Sequence, residues 1–322
     1  MLPSMTRNPG VGAGLAVLSA AAFSTSGSFG SSLIEAGWSP AAAVTARVAI
    51  AAAVLTVPSV IQLRGRWHLM KRSFLAVLVF GLVAVAACQL CYFNAVAHLS
   101  VSVALLLEYS GVLLVVVWLW VGKGQRPRRL TSAGGVVALI GLALVLNLTE
   151  ARHVALIGVL WGLGAATGLA FYFVLCARTE EVLPPMSMAW AGMVVGASAL
   201  GLLGALGILR FHIGRGTVAL GGHYVSWLVP VLGLSLVAGA GAYATGIEAT
   251  RRLGAKLASF VGLTEVLFAA LFAWLLLSQR PGLLQALGGL FVVGGIALVR
   301  SDEPSPGPAS AQAEPGPVHV SG

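Results

Sequence analysis

Two acidic residues, Glu108 and Glu265, stand inside long apolar runs, in LLLEYSGVLL and GLTEVLFAAL. An ionisable side chain at mid-depth of a bilayer costs at least about 2.5–3.5 kcal/mol on insertion scales, so each needs a reason to be there. A pair of carboxylates in such runs could titrate protons or hold a cation along a path. The competing reading is a polar packing contact, or a carboxyl kept neutral by burial. Arg47 lies early in a third run, PAAAVTARVAI. It could snorkel to the outer boundary, pair with a carboxylate or meet an anionic substrate group. Other polar and aromatic candidates for lining a small-molecule site fall within runs: Ser26, Tyr92, Asn94, Tyr109, Tyr172, Trp190 and Tyr243. Some of them could equally serve as interhelical hydrogen bonds. Glu248, beside Arg251 and Arg252, reads as an i,i+3 or i,i+4 ion pair, and Glu35 as a solvated span end.

The elements that must position these groups are membrane helices. The 322-residue chain is 58% hydrophobic and 9% charged, against about 25% charged in soluble proteins. So few charges cannot cover a water-facing surface. A helix needs about 20 residues to cross the hydrocarbon core. Ten runs qualify, at roughly 11–33, 40–62, 74–97, 100–121, 131–148, 155–176, 186–208, 225–247, 255–277 and 282–300. The first continues too far to be a secretory leader and is read as a retained helix. Residues 301–322, rich in Pro, Ser, Ala and Gly, read as a disordered cytoplasmic tail.

The chain is also written twice. Residues 95–145 match 249–299 without a gap, at an offset of 154. Trp120 falls on Trp274, Gln125-Arg126-Pro127 on Gln279-Arg280-Pro281, and Gly134-Gly135 on Gly288-Gly289. Further upstream, an offset of 145 places Pro40 on Pro185, each opening the second helix of its unit. The units read as 1–150 and 151–300.

Orientation follows from Lys and Arg. With a cytoplasmic N-terminus, fourteen basic residues fall inside and four, Arg152, Arg210, Arg215 and Arg280, outside. Five helices per unit would send the second unit in upside down, and its charges agree. The Lys123–Arg129 turn of the first copy is basic, whereas its counterpart Ser-Gln-Arg-Pro-Gly has lost three of four positive charges. The expected fold is therefore all-α: ten transmembrane helices as two inverted five-helix repeats, with both termini cytoplasmic in a bacterial-type inner membrane. Duplicated, inverted units are a common transporter plan.

Other chemistries lack their residues. The basic clusters lie between apolar runs, as in membrane topology and not as in nucleic-acid binding. Cys88, Cys91 and Cys176 sit in apolar runs and read as small packing residues. The glycine runs Gly162/Gly164/Gly168, Gly288/Gly289 and Gly294/Gly295 read as close helix packing. No P-loop, HExxH or GxSxG is present, and the histidines fall in loops, at span ends or in the tail. No cofactor or metal is expected. The expected partners are a small-molecule substrate and membrane lipid, with a homodimer as an open arrangement.

Ten spans in two units resemble the EamA-type transporters of the drug/metabolite transporter superfamily. The resemblance rests on LEYSGVLLVVVWLWVGKGQRPRRLTSAGGVVALIGLALV and LTEVLFAALFAWLLLSQRPGLLQALGGLFVVGGIALV. The proline that usually follows the acid is Val112 in one copy and Val266 in the other, and Gln279 stands where an acid is usual. Leu107-Glu108-Tyr109-Ser110-Gly111 is similar to the threonine/homoserine exporter branch. This resemblance implies a non-enzymatic, secondary active exporter of amino-acid-like metabolites, with Glu108 and Glu265 as proton-coupling candidates. An uncoupled facilitator is the nearest alternative. An intramembrane lipid-modifying enzyme would want a His/Asp/Glu cluster at one membrane face, and a receptor or scaffold would want longer loops.

Overall fold

The structure, a computed structural model, describes residues 9–145, 155–178, 183–214, 216–277 and 282–302. The turn at 278–281 and the tail beyond 302 lie outside these residues. Apolar segments without charge fold as helices because a backbone in lipid must satisfy its own hydrogen bonds. In chain order they are α1 (Pro9–Phe23), α2 (Thr25–Glu35), α3 (Pro40–Leu63), α4 (Trp67–Arg72), α5 (Phe74–Val79) and α6 (Cys88–His98). Then come α7 (Val101–Tyr109), α8 (Gly111–Lys123), α9 (Arg129–Val145), α10 (Leu156–Arg178) and α11 (Pro185–Ala205). The last are α12 (Leu228–Leu232), α13 (Ala242–Gly262), α14 (Thr264–Leu277) and α15 (Leu283–Ser301). Large apolar side chains such as Leu75, Val121 and Leu283 are exposed, as expected of a surface that faces lipid.

Among the described residues, eight stretches are long and apolar enough to cross a membrane. The chain is a multi-pass membrane protein. The ten expected runs divide differently near two places. The fifth is α9, only 17 residues, about 25 Å of helix. The eighth and ninth meet without a longer loop at Gly254, whose φ of 79° and ψ of 162° break the helical course between them, inside α13. Glycine adopts that φ without the Cβ clash other residues meet. The remainder of the ninth run continues as α14.

The helices are interrupted at matching places. Phe80–Ala87 and Gly233–Gly241 are both π-helical, and the 154-residue offset places 80–87 on 234–241. The helix of the fourth run breaks at Ser110, between α7 and α8, and that of the ninth at Leu263, between α13 and α14. The same offset places Ser110 on Thr264. In the first run, the Ser24 and Thr25 hydroxyls bond back to the carbonyls of Ala21 (2.6 Å) and Ala22 (2.7 Å), at the break between α1 and α2. Such back-bonding competes with the helix ladder.

One packing contact relates the two copies directly. A Cβ added at Gly134 would lie 2.7 Å from the carbonyl oxygen of Gly295, and one at Gly141 would lie 2.6 Å from that of Gly288. The offset places Gly134 on Gly288 and Gly141 on Gly295, so the two contacts exchange when the copies exchange. They also run in opposite directions along α9 and α15, so these helices cross antiparallel. Only glycine lets the backbones approach so closely. The crossing is tied at one end by Asp302, a buried carboxylate that accepts a hydrogen bond from the Thr131 hydroxyl.

The expected small-residue packing also appears along Gly162, Gly164 and Gly168 but not at Gly294, where a Cβ would meet nothing within 4 Å. Gly162 meets Leu107, Gly164 meets Cys91 and Gly168 meets Cys88. One element was not anticipated: an antiparallel hairpin of β1 (Thr217–Leu220) and β2 (His223–Ser226) ahead of α12. Its turn is Gly221-Gly222, both with positive φ, a turn chemistry that suits a two-residue hairpin. The segment before it is held to the start of α3: the Ser39 N–H donates to the His212 carbonyl at 2.9 Å.

Candidate functional site

The breaks in the helices carry the acids. Glu108 lies in the last turn of α7, just before the Ser110 break, and Glu265 in the first turn of α14, just after the Leu263 break. Both were expected within continuous spans. Both breaks are tight: the Val266 N–H donates to the Leu263 carbonyl at 3.2 Å and the Leu113 N–H to the Ser110 carbonyl at 3.0 Å. The Tyr109 hydroxyl donates to Glu265 Oε2 at 2.5 Å. Glu108 Oε1 lies 3.8 Å from the Cys88 thiol.

Arg47 departs from the expected snorkelling position. Ser39 caps α3, accepting from the Ala42 N–H at 3.2 Å, and Pro40 opens it. Two turns on, the Arg47 side chain points inward and is 1% exposed. Nη1 donates to Ser26 Oγ (2.8 Å) and Gln89 Oε1 (2.5 Å), and Nη2 to the Ala238 carbonyl (2.6 Å). The guanidinium lies 5.9 Å from the centre of the Phe23 ring. Three oxygen acceptors and an aromatic face offset the desolvation that otherwise drives an arginine to the interface. Its hydrogen-bond partners are neutral, not the carboxylates.

Gln89 extends this network, its Nε2 donating to the Tyr243 hydroxyl at 3.2 Å. The Tyr243 ring stands edge-on to Phe23 (5.2 Å) and perpendicular to Tyr172 (5.7 Å, 90°). These side chains line a cavity of about 60 Å³ shared by both halves of the chain. It gathers Ser26, Arg47, Tyr92, Glu108, Tyr109, Tyr172, Tyr243 and Glu265. Asn94 and Trp190 are not in its lining. Asn94 Nδ2 bonds the Leu90 carbonyl one turn back (2.7 Å), and Trp190 Nε1 donates to the Thr56 hydroxyl (3.0 Å).

Sequence reasoning left Phe23 and Phe173 out of the candidate site, whereas Gln89 is one of the polar residues within spans that could line a cavity. Gln89 had a further signal: it stands 154 residues before Tyr243, at the repeat spacing. The phenylalanines had none, since an aromatic in an apolar run reads as core. Glu248 forms its expected i,i+4 pair with Arg252 at 2.5 Å, whereas Arg251 donates instead to the Leu183 carbonyl at 2.5 Å. Glu35 is exposed. Among the described residues no group of three His, Cys, Asp or Glu could hold a metal.

The profile of the EamA-like transporter family matches residues 10–147 and again 156–301. The chain belongs to the EamA-like transporter family. Members of the EamA-like family are membrane transporters of the drug/metabolite superfamily and not enzymes, and the family domain is present here as two repeats. None of the curated proteins compared with the chain matches it. A crystal structure superimposes with a TM-score of 0.70 at 21% identity, over 89% of this chain and 96% of that one. At that identity the likeness concerns the fold alone.

Proposed function

We propose that the chain is a secondary active transporter that exports small polar metabolites across a bacterial-type inner membrane by alternating access, coupled to protons. The observation that carries this reading is the cavity between the two repeats, with an acid from each repeat at its wall beside a helix break. In the proposed cycle the repeats are inverted, form ten spans, and rock about the α9–α15 crossing. The antiparallel exchange of Gly134–Gly295 and Gly141–Gly288 supports the inversion. Both termini and the tail are cytoplasmic, as the positive-inside count suggests.

Glu108 and Glu265 are the proposed coupling groups. A buried carboxylate is stabilised either by a proton or by a cationic group on the substrate, so the two occupants compete. Competition of that kind converts a proton gradient into substrate export. Amino-acid-like metabolites are the cargo suggested by the similarity of Leu107–Gly111 to the threonine/homoserine exporters.

Export assays in proteoliposomes test the proposal. With threonine or an organic amine as cargo, a pH gradient should drive flux through the protein. Glu108→Gln and Glu265→Gln should each abolish the gradient dependence. Full gradient-driven flux in both variants would overturn the coupling role. Flux indifferent to any gradient would make the protein a facilitator.

A further inference from the structure

We infer that the cavity takes an organic amine, bound as its ammonium cation and carrying no carboxylate of its own. This rests on the reading of the cavity as the substrate site, and it replaces the amino-acid-like cargo suggested by Leu107–Gly111 with amines that lack the carboxylate.

Charge is the first ground. The described lining contains two carboxylates and one guanidinium. Both terminal nitrogens of that guanidinium are already engaged by Ser26, Gln89 and the Ala238 carbonyl. Arg47 therefore acts as a strut joining α2, α3, α6 and the π-helical turn at Gly233–Gly241. A substrate carboxylate would enter beside two existing carboxylates, each 9% exposed, where like charges removed from bulk water repel strongly.

Glu108 is the second ground. It is 9% exposed, and the contact found for it is a thiol at 3.8 Å. An ionised carboxylate can accept about four hydrogen bonds, and a thiol is a weak donor. Glu265 is better served, accepting from the Tyr109 hydroxyl. Glu108 is thus the acid with unused acceptor capacity facing the cavity. An ammonium brings the N–H donors it lacks.

Third, the Tyr92 and Tyr172 hydroxyls are buried with no hydrogen-bond partner among the described residues. They are related by the repeat. The Tyr92 hydroxyl packs on Gly27, and the Tyr172 hydroxyl on Gly246. The 154-residue offset places Tyr92 on Gly246, so tyrosine and glycine have changed sides between the copies. Each repeat supplies one unpaired phenol from a different helix. Phenol oxygens accept N–H bonds, and the perpendicular rings of Tyr172 and Tyr243, with Phe173 at 5.1 Å from Tyr172, offer faces to a cation.

Titration calorimetry on the full chain in detergent, without any gradient, tests the substrate class. Three probes share a phenyl group: phenethylamine, phenylalanine and 3-phenylpropionate. Phenethylamine should bind at least about tenfold more tightly than phenylalanine, and 3-phenylpropionate should give no saturable heat. Glu108→Gln should weaken phenethylamine roughly ten- to hundredfold, as expected for a lost charge-assisted hydrogen bond. Tyr92→Phe and Tyr172→Phe, which keep the rings, should weaken it less. A folded Glu108→Gln variant that retained full affinity would overturn the inference. So would equal binding of phenylalanine, or no binding of the amine. Failure of transport is separable: a protein that bound the amine but never moved it would contradict the proposed function and leave the substrate class standing.

Discussion

Gln89 and Tyr243 are hydrogen-bonded to each other at 3.2 Å, and they are the same position in the two repeats, 154 residues apart. Equivalent positions can touch only near the axis that relates the copies. This contact therefore marks the centre of the molecule, and Arg47 is fastened to it through Gln89 Oε1. Losing Gln89 should be costlier than losing the Tyr243 hydroxyl. Gln89→Leu leaves a buried guanidinium donor unpaired, worth about 1–3 kcal/mol, against about 1 kcal/mol for Tyr243→Phe. Thermal unfolding of the two variants in one detergent measures the difference; equal losses would place the network elsewhere.

Arg47→Lys should not restore the protein. A guanidinium reaches Ser26, Gln89 and Ala238 with two differently directed nitrogens, whereas an ammonium is a single point on a flexible stem. We expect Arg47→Lys to lose most of the transport and to be nearly as unstable as Arg47→Ala. Flux and thermal midpoint read both effects.

The two breaks, the two π-helical turns and the inward turn of Arg47 were not legible in the chain. Apolar runs revealed the spans, and the Trp and Gln-Arg-Pro matches revealed the duplication, because those residues are scarce enough to fix a register. A break in an apolar run changes no composition, so Ser110 and Leu263 left little trace. Arg47 at a span start has two physically sound rotamer families, outward to the interface or inward to acceptors. Which wins depends on Ser26, Gln89 and Ala238 meeting it from three other segments. The hairpin left only Gly221-Gly222, too short a signal inside a loop.

Close packing at the α9–α15 crossing should be intolerant of side chains. Gly134→Val and Gly141→Val each place methyls against a backbone carbonyl, a cost of roughly 1–3 kcal/mol or more. Gly294→Ala, with open space around it, should behave as the natural chain. Yield of monodisperse protein after solubilisation checks this, and a well-behaved Gly134→Val would contradict the observed contact.

Asp302 gives a separate check at the end of that crossing. Thr131→Val removes the hydroxyl it accepts from and leaves a buried carboxylate short of a donor, for a loss of about 1–3 kcal/mol. Asp302→Asn with Thr131 intact should cost less, since the amide oxygen still accepts. Thermal unfolding of the two variants should rank them in that order.

The most direct measurement is substrate uptake into proteoliposomes under an imposed pH gradient, read beside exchange at equal pH, for the natural chain and Glu265→Gln. With radiolabelled phenethylamine, and protein-free vesicles subtracted, the natural chain should show both activities. Glu265→Gln should keep exchange and lose the response to the gradient. Undiminished gradient-driven uptake in Glu265→Gln would contradict proton coupling through the acid pair.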